Sequence, residues 1–214
     1  MTMQDGNLIN KEAIDNFYSY LCDEINAING LAKKTHQKIL LVIIIDALAR
    51  VWSKIKKKQE NNRERFISLI NECTKWEDGN RASLPQLFSK LKGLCGCETK
   101  LIEEVETAFS SWEAGRRYTI KDDPFSDKLI NLASCKLERN IIKSCSHINL
   151  LYIYRNHLVH EFRQPGLGMD LDETVPYYIE YVSKPGIKEL SYPKSFFIEL
   201  AKSSLNNFYY HLLK

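Results

Sequence analysis

A mainly α-helical bundle, with a small C-terminal β-hairpin ahead of the last helix, is what three observations in this chain predict. Apolar residues recur at three- and four-residue spacing through most of its length. One stretch, Val175 to Pro193, switches to alternation rich in Tyr, Ile and Val. Gly and Pro fall at the ends of the periodic segments rather than inside them. At 214 residues, with 44% hydrophobic and 11% aromatic residues, the chain can bury a core, and nothing in it reads as a linker. The expectation is a single domain, 1-214, with the hairpin at about 175-193 as an accessory.

The first helix is expected from Lys11 to Leu31, with Ile14, Phe17, Tyr18, Leu21, Ile25 and Ile28 inward, ending at Asn29-Gly30, where Gly permits a left-handed cap. The second, Thr35 to Lys56, holds the seven-residue apolar run ILLVIII and is expected to be central, enclosed on most sides, since the run is too short to span a bilayer. Asp46 follows the run. It either pairs with Arg50 at i+4 or orients a polar cluster further along the chain, and the sequence alone leaves both open. A third helix covers Asn61 to Trp76, a fourth opens around Pro85 and stops at Gly93, and a fifth, capped by Thr99, runs to Trp112. Residues 116–124 read as a loop. From Ser126 a helical pattern of roughly 36 residues runs to Gln164-Pro165-Gly166, too long for an ordinary globular helix, so a break is expected around Ser144 to His147. The hairpin follows with Ser183-Lys184-Pro185-Gly186 at its tip, and Pro193 opens the last helix.

Net charge is +3, from 30 Lys+Arg against 27 Asp+Glu, so a phosphate-bearing partner would have to meet a local basic patch. Ser53 to Arg65 is the best such run, and it reads first as lysines solvating the exit of an apolar helix. The six cysteines and a start, MTMQDGNLIN, without the marks of a secretory signal lead to reduced thiols in a cytoplasmic protein with no membrane segment. Cys95-Gly96-Cys97 lacks the spacing of a zinc knuckle, and no metal or cofactor is expected.

The densest chemistry lies in Leu150 to Arg163, LLYIYRNHLVHEFR, where Arg155, Asn156, His157, His160, Glu161 and Arg163 stand among Leu150, Leu151, Ile153, Leu158, Val159 and Phe162. Polar groups inside an apolar helix are costly unless they are paired or used. Arg presents a planar fork of donors to phosphate oxygens, and His exchanges protons near neutral pH. RNA carries its own nucleophile in the 2′-hydroxyl, so this pair could cut it without metal or covalent intermediate. On an ideal helix, however, Arg155 and His160 point roughly 140° apart, so either the helix is irregular here, or the long Arg155 reaches around, or a second copy completes the site; the second copy explains it best, and a dimer is expected. His157 is placed to line the cleft, and Asp46 is the carboxylate that could orient the cluster; His36, His147 and His211 show no partner in the sequence.

Arg155-Asn156-His157-Leu158-Val159-His160, in a helix-rich setting, resembles the RX4-6H signature of the HEPN superfamily (higher eukaryotes and prokaryotes nucleotide-binding). The resemblance implies a homodimeric α-helical bundle and, in many members, a metal-independent endoribonuclease. Arg155 would then bind the scissile phosphate, His160 would transfer a proton and Asn156 would orient either. It further implies a toxin or phage-defence effector with a cognate antitoxin or neighbouring-gene partner. The alternative within the family is a non-catalytic nucleotide- or protein-binding module. One position departs from the pattern. Phe162 stands where toxins of this family that pair with a nucleotidyltransferase commonly carry a modifiable Tyr, so control through that hydroxyl is not expected.

Overall fold

The computed structural model describes residues 11–93, 99–165, 170–171, 173–181 and 184–214. Its elements are α1 Lys11–Asn29, α2 Lys34–Ile55, α3 Asn62–Cys73, α4 Leu84–Lys92, α5 Lys100–Ser110, α6 Ser126–Ile130, α7 Lys136–Ser144, α8 His147–Glu161, β1 Tyr177–Tyr181, β2 Lys184–Ser191 and α9 Lys194–Leu212. The protein is mainly helical, with one small antiparallel hairpin before the last helix. The chain forms two compact units, Met1–Thr74 with Ile198–Lys214, and Lys75–Phe197.

In the first unit α2 packs against both α1 and α3. Leu41, Ile45 and Leu48 of α2 are fully enclosed, with Ile25 from α1 and Phe66 and Leu69 from α3 beside them in the core. One stripe of α2 nevertheless faces outward, because Leu40, Ile43 and Val51 remain 38%, 46% and 39% exposed, so the helix is less enclosed than its run of apolar residues suggests. The C-terminal part of α9 joins through Tyr209, which donates to Asp15 at 2.7 Å, and through Asn207, which donates to the Cys73 carbonyl at 3.0 Å. Asn61 begins α3 with a reciprocal cap: its side chain accepts from the Glu64 amide while the Glu64 carboxylate accepts from the Asn61 amide. Gly30 does not adopt the left-handed conformation expected of it; α2 instead ends with Lys57 at φ 51°. His211, partnerless in sequence, lies against Trp52 with ring centroids 4.6 Å apart.

The second unit has its apolar centre among Leu84, Leu87 and Leu91 of α4, Leu101 and Val105 of α5, Leu129 of α6 and Ile142 of α7. The long helical pattern from Ser126 is three helices, not one. The expected break is present, since α7 ends at Ser144 and α8 begins at His147. A second break, at 131–135, was not expected. There the Ser134 amide and hydroxyl both donate to the Glu138 carboxylate, at 2.6 and 2.9 Å, and so start a new helix. Burial opposes the charge on Glu138, but donors from Thr99 and Ser134 outweigh it and hold the group below the ordinary carboxylate range.

Residues 116–124 are more ordered than a loop. Thr119 bridges Tyr177, and the Tyr178 amide donates to the Tyr118 carbonyl at 2.9 Å, so this segment lies along the hairpin. Within the hairpin Tyr177 opposes Ser191 and Glu180 opposes Lys188, with an ion pair of 2.6 Å between the latter two. The pairing shifts after Glu180, and Gly186 takes φ 81° there, a conformation that suits glycine. Cys95 and Cys97 lie outside the described residues. No helix among the described residues is long and apolar enough to cross a membrane.

Candidate active site on helix α8

The start of α8 is set by a buried polar network. His147, its first residue, bonds through Nε2 to Asp123 Oδ2 at 2.7 Å, and both side chains are fully enclosed. Tyr178 donates its hydroxyl to the same oxygen at 2.5 Å, while Asp123 Oδ1 accepts from the Leu84 amide at 2.9 Å. Burial beside Asp123 pushes the Tyr178 hydroxyl well above its ordinary pKa. The backbone of His147 is held as well: its amide donates to the Arg81 carbonyl, and its carbonyl accepts from Tyr192. Nε2 faces the Asp123 carboxylate, and Nδ1 is buried without a hydrogen-bond partner. This network joins residues from four stretches of the chain, which is why a reading of local spacing left His147 without a partner.

The other end of α8 is a left-handed cap. Phe162 sits at φ 52° and ψ 30°, and the Phe162 and Arg163 amides both turn back to the His157 carbonyl. Phe162 is 74% exposed and Ile153 is 44% exposed, so neither belongs to the core, although both are apolar. Leu151, Tyr154 and Leu158 provide the buried face instead. Held at both ends, α8 is a rigid support for the side chains between.

Of Arg155, Asn156, His157 and His160, Arg155 is the most enclosed, at 7% exposed, on a helical face shared with Ile148 and Leu151. Its guanidinium passes over the Tyr152 ring at 5.6 Å and turns toward the outer face. There Arg155 Nη1 donates to Asn156 Oδ1 at 2.9 Å and meets His160 Nε2 at 3.1 Å. A guanidinium has donors only, so His160 Nε2 is the acceptor and the neutral ring carries its hydrogen on Nδ1. The long arginine stem thus spans the angle between the two positions, and a second copy of the chain is not required to bring Arg155 to His160. Asn156 is half-buried and His160 exposed, which leaves the couple open on the His160 side.

No family model, no curated protein and no solved structure matches this chain.

His157 belongs to a separate group one turn away. Its Nδ1 lies 2.7 Å from Glu161 Oε1, and Arg163 Nε donates to Glu161 Oε2 at 2.5 Å. Hydrogen bonding from His157, then from Arg163, holds the exposed Glu161 below the ordinary carboxylate range. His157 also lines a cleft of about 420 Å³ with Tyr154 of α8, Gln86 and Lys90 of α4 and Glu189 and Leu190 of β2. The sequence suggested His157 as a cleft residue but offered no sign of α4 and β2 as its other walls. Asp46 is half-buried on α2, in the first unit, whereas Arg155, Asn156, His157 and His160 all belong to the second. Among the described residues no group of three His, Cys, Asp or Glu side chains is arranged to hold a metal ion.

Chemically, the arrangement joins a permanent cation and an exposed imidazole whose lone pair points at that cation's fork. An anion that approaches from the His160 side would compete with the imidazole for the Arg155 donors and release Nε2 to take a proton.

Proposed function

We propose that this protein is a metal-independent endoribonuclease of the HEPN type, with Arg155 and His160 as its catalytic pair and Asn156 as the residue that orients the arginine. The observation that supports this best is the 3.1 Å approach of Arg155 Nη1 to His160 Nε2 on one rigid helix, with His160 open to solvent. In the proposed reaction a nonbridging oxygen of the scissile phosphate takes the Arg155 donors, and His160 Nε2 accepts the proton of the adjacent 2′-hydroxyl. The 2′-oxygen attacks phosphorus, and the 5′-oxygen leaves and is protonated by water. The products are a 2′,3′-cyclic phosphate and a 5′-hydroxyl. Arg155 stabilises the charge that develops on the phosphoryl oxygens, and its fixed position means that little reorganisation is needed at that moment.

Incubation of the full chain with mixed RNA in chelator tests the reading. Cleavage is expected, with His160→Ala and Arg155→Ala each slower by about 10²-fold or more. Absence of cleavage, or cleavage unaltered in both variants, refutes it. RNA or nucleotide binding without turnover would put the non-catalytic module in its place. The same resemblance extends the proposal to a homodimer and to a toxin or phage-defence effector restrained by a partner encoded nearby. Mass in solution tests the first, and host toxicity with and without the neighbouring gene tests the second.

A further inference from the structure

Beside the catalytic couple lies a second recognition element. We infer that the cleft between α8, α4 and β2 receives one unpaired nucleobase of the RNA, next to the phosphate held at Arg155 and His160; this rests on the ribonuclease reading. Size is the first constraint on what the cleft can hold. At about 420 Å³ the cleft falls near the lower end of pockets that take small organic ligands. That is room for a single flat heterocycle with part of its sugar, and far too little for a helix of nucleic acid.

Its walls have the mixture that a base requires. Tyr154, Leu150 and Leu190 provide apolar surface, while Gln86, Lys90, Glu189 and His157 bring polar groups of different kind to the same cavity. A base has apolar faces and an edge of alternating donors and acceptors. A carboxamide, which can offer both, together with a carboxylate acceptor and an ammonium donor can match such an edge. Two of the polar groups are held in place. His157 is fixed by Glu161, and Lys90 donates to Ser144 Oγ at 2.9 Å.

Position then connects the cleft to the chemistry. His157 lies three residues before His160 on one helix, about 4.5 Å along its axis. A base seated against His157 therefore brings its own backbone to the exposed His160. A paired base has its edge occupied and its faces stacked, so the cleft favours single-stranded RNA, loops and bulges over duplex.

Two measurements on the full chain test this. First, a set of RNA oligonucleotides carries one abasic residue walked across the cut site. Removal of the base at one position flanking the scissile phosphate should lower kcat/KM about tenfold or more, with the other positions tolerated. Second, His160→Ala protein, slow enough in cleavage to be read as a complex, should quench 2-aminopurine at that same position of a single strand and leave a matched duplex unchanged. Gln86→Ala and Leu190→Phe should weaken the quenching and flatten the abasic profile. Cleavage that proceeds with an even abasic profile, or quenching unchanged in both cleft variants, overturns the base site while leaving the ribonuclease reading intact. RNA neither cut nor bound overturns both.

Discussion

Removal of the Asp123 carboxylate should loosen the helix that carries the site, and the size of the effect can be worked out from the contacts. Asp123 accepts three buried hydrogen bonds, from the Leu84 amide, His147 Nε2 and the Tyr178 hydroxyl. In Asp123→Ala the Tyr178 hydroxyl can turn to the Ser83 side chain beside it, which spares one of the three donors. The Leu84 N–H and the His147 imidazole N–H have no such escape and lose their acceptor while buried, since Nδ1 has no partner in its enclosure either. At about 1–3 kcal/mol for each orphaned group, the loss is about 2–6 kcal/mol, before any term for the cavity. Against a total stability of about 5–15 kcal/mol this is a large fraction. Tyr178→Phe is the control. It removes one donor and leaves Asp123 with the other two, so it should cost only about 1 kcal/mol. Urea unfolding followed by tryptophan fluorescence measures both, since Trp112 stacks on Tyr118 at 4.2 Å and lies against the Tyr178 ring. With a slope of about 2 kcal/mol per molar, Asp123→Ala should lower the midpoint by about 1–3 M and Tyr178→Phe by about 0.5 M. A shift below about 0.5 M for Asp123→Ala, or equal shifts for the two variants, would refute the reasoning.

Other outcomes follow from single residues. Phe162→Gly should raise thermal stability, by about 1 kcal/mol, because glycine adopts φ 52° without strain; a lower melting temperature would show that the exposed ring is held by contacts after all. Glu138→Gln should destabilise the protein at neutral pH. The folded-state pKa of Glu138 lies below its ordinary value of 4.5, so its contribution is present above that value and fades as pH falls toward the lowered one. The gap between variant and wild type should therefore close in acid, and a gap that stays constant from pH 7 to pH 3 would contradict the assignment. In a timed alkylation read by peptide mass, exposed Cys135 should react well before Cys73 and Cys145, since burial pushes the Cys73 thiol up to about 12 and raises Cys145 as well. Equal rates at all three positions would show that the second pair opens to solvent.

Much of the helical framework was legible in the sequence because its signals are local. Periodic apolar residues marked α1 to α5 and α9, Pro85 and Pro193 marked two starts, and alternating Tyr and Ile marked β1. The breaks were harder. Ser144 to His147 stood out because the pattern had run too long, whereas 131–135 depends on Ser134 and Thr99 meeting Glu138, and Thr99 lies 39 residues away. The motif itself was readable as six consecutive residues, yet the angle between Arg155 and His160 was not decisive. Helical arithmetic tracks Cβ directions, and a side chain as long as arginine can cross from one face to another.

What the sequence by itself determined, then, is what neighbours along the chain can settle: the helical class, the hairpin, and the presence of Arg155, Asn156 and His160 within one turn and a half of α8. What only the tertiary structure decided is what depends on distant partners. Asp123, Tyr178 and Leu84 fix the first turn of α8 from 24 to 63 residues away, and α4 and β2 form the cleft beside His157. Local spacing carries no information about such meetings, because they are selected by the packing of whole elements and by the cost of leaving a buried polar group unpaired.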